Sequence, residues 1–205
     1  MSPAQPNFTL IKAARLIDGR GGDVVANGAL LVEGAKIRGA GPAASVRAPE
    51  GASVATIDYG DRTLLPGLID AHVHLNGFGD GRSGDDLATL PDGVLTLQSA
   101  RNARAHLYTG VTTVRDCGAK DQTTFMLRKA VEMGVTPAPR LALTGRPMSI
   151  VGGHLHYFGI EATGPDGCRS AVRQLIKEGA DFIKITATGG STATSKIYKP
   201  SFNVD

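Results

Sequence analysis

The chain has 205 residues, a formal net charge of +3 and 41% hydrophobic residues, which is globular composition, long enough for one sizeable domain or for a small domain plus part of a larger one. Its basic residues are scattered without a run and aromatics make up only 5%, which argues against nucleic-acid binding. No apolar run approaches the length of a membrane span, the start "MSPAQPNFTL" predicts no signal peptide, and the two cysteines, Cys117 and Cys168, form neither a disulfide framework nor a metal spacing, so reduced thiols in a cytoplasm are expected.

Residues 1–63 are expected to form a first domain. Within it "FTLIKAARLID", "GALLVEGAKIRGAG" and "ASVATIDYGD" predict short strands bounded by Gly, Asn and Asp. Glu33-Gly34 lies at or near a hairpin turn. The module is too short to be a stable sandwich alone. From residue 64 onwards the rhythm changes. "GLIDAHVHL" predicts a strand. "DGVLTLQSARNARAHLYTG" predicts a helix with Asp92 as N-cap and Gly110 just past its end. "VTTVRDCG" is a β-branched strand, and "DQTTFMLRKAVEMG" is a helix capped by Asp121 and stopped at Gly134. "PRLALTG" is a third strand, "GPDGCRSAVRQLIKEG" a third helix ended by Gly179, and "ADFIKITATGG" a fourth strand. Strands alternating with helices of this length indicate βαβ units and a parallel sheet, hence an α/β fold. The last stretch, "GGSTATSKIYKPSFNVD", is polar and loop-like.

Only five histidines occur in the chain, and two of them, His72 and His74, close the apolar run "LLPGLIDAHVHL". Alternation along a strand points both rings the same way, while Val73 packs on the other face. Two imidazoles on one face at the C-terminal end of a parallel strand can grip one divalent cation. The competing reading is a pair of hydrogen-bonded core histidines, and two ligands alone do not complete a zinc site. Asp70, two residues earlier, is expected to share their face, where two readings stand open: it holds an imidazole in one tautomer, or it is a polar residue that organises the barrel interior. In "DFIKITA" the same alternation aims Phe182, Lys184 and Thr186 one way and Ile183 and Ile185 towards the helices. A second pair, His154 and His156 in "VGGHLHYFG", follows two glycines and reads as a loop. Arg115 and Asp116 are expected to make hydrogen bonds in or near the barrel mouth, His106 to be structural, and Gly189 and Gly190 to form a turn rather than a phosphate loop.

"LLPGLIDAHVHL" strongly resembles the first barrel strand of the amidohydrolase superfamily, "GVTTVRDCG" resembles its second strand, and residues 7–63 resemble its accessory β-sandwich. "MSIVGGHLH" and "ADFIKITATGG" resemble the imidazolonepropionase-like and prolidase-like branch, which includes dipeptidases acting on Xaa-Pro substrates. The resemblance implies an incomplete (β/α)8 TIM barrel, about its first four strands, over residues 64–205, preceded by part of a small β-sandwich. It implies hydrolysis of a C–N bond in a small amide, dipeptide or cyclic amide by metal-activated water. One or two divalent ions, expected to be zinc, would be held by His72, His74 and Lys184, the lysine as a carbamate. His154 would contact the substrate carbonyl or carboxylate. The family has further histidines on its fifth and sixth strands and a proton-carrying aspartate on its eighth, and no histidine follows His156 here. Three readings of that shortfall stand open: a fragment of a longer protein, which is favoured, a half that pairs with another chain, or a degenerate remnant. In each, the isolated chain is expected to be inactive and to be poorly soluble or oligomeric through an open edge.

Overall fold

Strong β-formers dominate Phe8–Leu16, and the chain folds back on that stretch. In a computed structural model, which describes residues 7–81, 84–190 and 198–202, the chain divides into two compact units, Met1–Pro66 and Gly67–Asp205. The first unit is a mixed sheet of β1 (Phe8–Leu16), β2 (Val25–Glu33), β3 (Lys36–Pro42), β4 (Val54–Asp58) and β5 (Thr63–Leu64). The order is β3-β2-β1-β4, with β5 also on β1. β2 and β3 form an antiparallel hairpin that closes at Glu33↔Lys36, as the Glu33-Gly34 signal predicts. β4 and β5 run parallel to β1. Ala29, Leu31 and Val46 are buried together beneath Phe8, Leu10, Ala43 and Ala48.

The second unit alternates strand and helix as β6 (Leu68–Val73), α1 (Gly84–Ala88), α2 (Asp92–Tyr108), β7 (Val111–Asp116), α3 (Thr123–Glu132), β8 (Arg140–Leu143), β9 (Met148–Ser149), β10 (Ile160–Glu161) and α4 (Gly164–Glu178). β6, β7 and β8 pair in sequence order, all parallel. Val73 and Val114 from the sheet pack with Leu75, Ala103 of α2 and Leu127 of α3, so α2 and α3 cover one face. A second cluster joins Met148, Ala162, Ala171 and Leu175 beneath α4. Among the described residues the protein is therefore an α/β protein with one mixed sheet and two parallel ones, the smaller made of β9 and β10. No helix among the described residues is long and apolar enough to cross a membrane.

Three local expectations are corrected. Asp92 is the first residue of α2 rather than its cap: Pro91 occupies the cap position, and the Asp92 carboxylate instead lies 3.1 Å from the Lys120 ammonium. Asp121 sits before the cap of α3, in a left-handed turn at φ +45, and Gln122 takes the cap position. The expected fourth strand forms no continuous ladder. Residues 181–186 run beside 143–148 through Asp181 N–H to Leu143 O (2.8 Å), Met148 N–H to Lys184 O (2.8 Å) and Thr186 N–H to Met148 O (3.0 Å). Between these bonds the Thr144 hydroxyl stands in for a backbone rung, accepting Lys184 N–H at 2.9 Å and donating to Phe182 O at 3.0 Å. The cause lies in the neighbouring segment, where Gly145 turns the chain at φ +66 and Pro147 has no N–H to give.

Candidate metal centre

β6 carries His72 inside its last turn of pleat and releases His74 one residue beyond its end. Val73 between them is buried in the helix-facing core. The two rings lie 5.5 Å apart between centroids, tilted by 55°, so the alternation places them together as expected.

Asp70 departs from that expectation. The β6–β7 register shifts between Asp70 and Val73, with Asp70 opposite Val114 and Val73 opposite Asp116. The bulge inserts one residue and changes which face follows. Asp70 thus lies opposite a helix-facing residue. Its Oδ1 accepts the His72 backbone N–H at 3.1 Å, and its Oδ2 lies 3.8 Å from Nε2 of His106 on α2. It braces the start of the bulge rather than an imidazole of the pair.

His74 is the better-anchored ring. Its Nδ1 lies 2.9 Å from the Gly118 carbonyl, just beyond β7. Burial lowers its pKa, the Gly118 bond opposes this, and the charges of His72 and Lys184 lower it further. A neutral ring with Nδ1–H donated to a carbonyl keeps its lone pair on Nε2. Gly118 has φ +152, and a Cβ there would stand 3.3 Å from both His74 Cε1 and Pro147 Cγ, so the carbonyl reaches the ring only from a glycine.

Lys184 is half-buried, and its main chain is held on both sides by Thr144 and Met148. Its charge acts on His74 and on His154. Two residues back, Phe182 lies under the Arg115 guanidinium at 5.4 Å, and Arg115 Nε donates to the Ala71 carbonyl at 2.7 Å. Ile183 packs against the α4 cluster as alternation requires. Ile185 does not follow it inward and stays 47% exposed, because the segment is not a regular strand.

His154 and His156 occupy the turn between β9 and β10, and Leu155 between them is left-handed at φ +64. That conformation breaks strand alternation, so the pair does not repeat the geometry of His72 and His74. His156 Nδ1 lies 2.9 Å from Gly153 O. The Nδ1 atom of His154 is buried with no hydrogen-bond partner. Burial lowers the His154 pKa, His74 and Lys184 lower it further, and Asp85 opposes them. His74, Lys184 and His154 therefore share one electrostatic neighbourhood at the C-terminal end of the sheet.

Gly190, expected to be only part of a turn, lies against His154: a Cβ there would stand 2.3 Å from its Nδ1. Gly190→Ala is expected to push the His154 ring aside. Its ring resonances should move while those of His72 stay in place, as read by histidine-selective NMR.

Two further residues, Tyr157 and Gly84, carry no signal in the sequence, whereas Asp116 makes hydrogen bonds at the strand ends as expected. Burial, then the charge of Asp85, pushes the Tyr157 hydroxyl up to about 12, so it stays protonated and able to donate. Tyr157 packs so close over Gly84 that a Cβ there would be 2.0 Å from the phenol oxygen. Asp116 is fully buried. Its Oδ2 accepts Leu75 N–H at 2.7 Å and its Oδ1 accepts Gly118 N–H at 3.0 Å. Burial pushes its carboxyl up to about 7 although both bonds favour the ionised form.

Among the described residues no three His, Cys, Asp or Glu side chains cluster closely enough to hold a metal ion. His72 and His74 lie side by side, and the Lys184 charge acts on His74. A model of the amidohydrolase family matches residues 63–202. The chain belongs to the amidohydrolase family. Among curated proteins it is 29% identical to an ochratoxinase of Aspergillus niger, over 98% of this chain and 46% of that protein. It is also 29% identical to a dihydroorotase of Syntrophobacter fumaroxidans, over 88% of this chain and 40% of that protein. Among solved structures it superposes on a prolidase complexed with N-methylphosphonate-L-proline (TM-score 0.81, 27% identity, covering 96% of this chain and 50% of that one). A Xaa-Pro dipeptidase with methionine bound in its active site superposes equally well (TM-score 0.81, 27% identity, 96% and 51%). The chain spans about half the length of the curated relatives it matches.

Proposed function

We propose that this member of the amidohydrolase family carries the N-terminal portion of a metal-dependent hydrolase of C–N bonds, acting on a small amide, dipeptide or cyclic amide. The observation that carries the reading is the shared neighbourhood of His74, Lys184 and His154, with His72 beside His74, where parallel strands end. The relatives named prolidase and Xaa-Pro dipeptidase favour a dipeptide or N-acyl amino acid substrate. Residues 1–63 are assigned as part of an accessory β-sandwich and residues 64–205 as the first half of a (β/α)8 barrel. The sheet supports this, because Leu68 and Ile69 on β6 are 54% and 71% exposed, as residues of an unfinished barrel would be.

The donor chemistry fits a divalent cation, with zinc the expected ion. His72 and His74 offer ring nitrogens, and Lys184 offers a carbamate oxygen once its amine has taken up carbon dioxide. A protonated lysine has no lone pair to give. The remaining ligands of one or two ions are assigned to the rest of a longer protein. When bound, such an ion supplies an activated water and a polarised carbonyl. The chain's own residues do the positioning. Gly118 keeps the Nδ1 proton of His74 away from the ligand side. Lys184 is set in place by Thr144 and Met148 on either side of its backbone. His154, whose pKa burial lowers, is assigned to hydrogen-bond a substrate carbonyl or carboxylate oxygen as charge develops on it.

The two free cysteines suit the reducing cytoplasm to which we assign the protein. A second reading rests on the same exposed β6 residues: a non-catalytic half-barrel that covers them with another chain or a second copy of itself.

The test is calorimetric titration with zinc, paired with NMR of the chain in 13C-bicarbonate. Zinc binding and a carbamate signal that disappears in Lys184→Arg are expected. Absence of both ends the metal-centre reading. On a panel of N-acyl amino acids and Xaa-Pro dipeptides, the 205 residues alone should be inactive. Chelator-sensitive hydrolysis by them would show that they already form a complete enzyme.

A further inference from the structure

We propose that Asp116 is a positioning residue that sets the tautomer of His74, through one carboxylate that ties the ends of β6 and β7 together. The assignment rests on the metal-centre reading for its purpose, although its geometry stands without it. His74 lies one residue past β6, and Gly118 lies two past β7. Their contact, Nδ1 to the Gly118 carbonyl at 2.9 Å, joins two loop residues that no strand ladder holds.

Asp116 supplies the missing tie. Its Oδ2 takes the N–H of Leu75, the neighbour of His74, at 2.7 Å. Its Oδ1 takes the N–H of Gly118 itself at 3.0 Å. Both sides of the imidazole contact are thus fixed to a single fully buried group. Two further bonds complete the frame: Cys117 N–H to Val73 O at 2.8 Å and Ala119 N–H to Gly145 O at 2.9 Å. The second orients the peptide whose carbonyl meets the ring. Gly118 cannot be exchanged to restore the contact, because of its φ of +152 and its closeness to His74 and Pro147.

Both Asp116 oxygens act as acceptors, and an asparagine has only one. In Asp116→Asn the amide NH2 meets either the Leu75 or the Gly118 N–H, donor against donor, and one tie is lost. The Gly118 carbonyl is then free to swing from Nδ1. A histidine without that acceptor favours the proton on Nε2, the nitrogen that must stay bare to bind a cation. Outer partners of this kind are worth roughly 10–100-fold in metal affinity.

The experiment is long-range 1H–15N correlation on the metal-free chain with 15N-labelled histidine, well above pH 7 where the rings are neutral, with His74 assigned through His74→Gln. The wild-type chain should show His74 with a pyrrole-type Nδ1 and a pyridine-type Nε2. Asp116→Asn, checked for folding by circular dichroism, should shift both nitrogens towards the opposite tautomer and weaken zinc binding by roughly 10–100-fold. A purely structural aspartate would leave the tautomer in a folded variant untouched. A wild-type His74 protonated on Nε2 overturns the proposal without any variant, as does a folded Asp116→Asn chain whose His74 pattern is unchanged. If the wild-type tautomer is as expected, Asp116→Asn disturbs it, and neither protein binds zinc, the role of Asp116 stands and the metal-centre reading falls.

Discussion

Replacing His72 and His74 together by alanine should abolish cation binding while leaving most of the fold intact. A catalytic zinc site usually rests on three protein ligands, and this change removes two of the three donors assigned here. The loss should exceed the roughly 10–100-fold of an outer partner and reach at least about a thousandfold, or about 4 kcal/mol of binding free energy. The cost to the metal-free fold divides unequally. His72 is exposed, so its truncation should change stability by no more than about 0.5 kcal/mol. His74 is also exposed as a residue, but its loss removes the part-buried bond to the Gly118 carbonyl, which costs about 0.5–1.5 kcal/mol. Zinc calorimetry and urea unfolding on each single variant and on the pair would separate the two effects. Cation affinity that survives the double change would remove these histidines from the centre.

The Asp116 contribution to the stability of the second unit should fall as pH rises from about 4 to about 7, so the stability difference between the wild type and Asp116→Asn should change across that range. Burial pushes the Asp116 carboxyl from its ordinary 3.8 up to about 7. A raised carboxyl binds its proton more tightly in the folded chain than in the unfolded one. Its contribution is therefore complete below the unfolded value and is lost as pH climbs through the folded value. The difference of about three decades corresponds to an upper limit of about 4 kcal/mol. Most acid-sensitive proteins show the opposite sign, because their carboxylates are paired and depressed. Glu178 belongs to that ordinary class. Burial raises its pKa, but hydrogen bonds from Gln174 and Arg146 and the Arg146 charge outweigh it and lower the value. Urea unfolding of the wild type and Asp116→Asn across this range gives the comparison. Parallel curves for the two proteins would contradict the assignment.

Some of this architecture is legible in the residues and some is not, for physical reasons. The hairpin at Glu33-Gly34 and the ends of α3 and α4 at Gly134 and Gly179 are local events, and the two glycines take φ +72 and +104 as such stops require. The pairing of His72 with His74 is also local, since it needs only the two-residue period of a strand. The cap of α2 escapes, because Asp92 has a better partner in Lys120, 28 positions away. The fourth strand escapes because its neighbour, not its own sequence, breaks the ladder at Gly145 and Pro147. Asp116 is legible as a hydrogen-bonding residue near the mouth, but alternation does not reveal that its two oxygens close the end of another strand. Tyr157 and Gly84 meet only through the fold, and neither sits in a periodic pattern.

The bulge in β6 has a consequence for how substitutions should distribute along it. From Ile69 to Asp70 the rule of every second position runs in one phase, and from Val73 onwards it runs in the other. A saturation scan of this strand would therefore show its tolerant and intolerant sites slipping out of step near Ala71. Deleting Ala71 would restore the regular rhythm from Asp70 to Val73 and leave both imidazoles on one face, because His72 and His74 would still stand two positions apart.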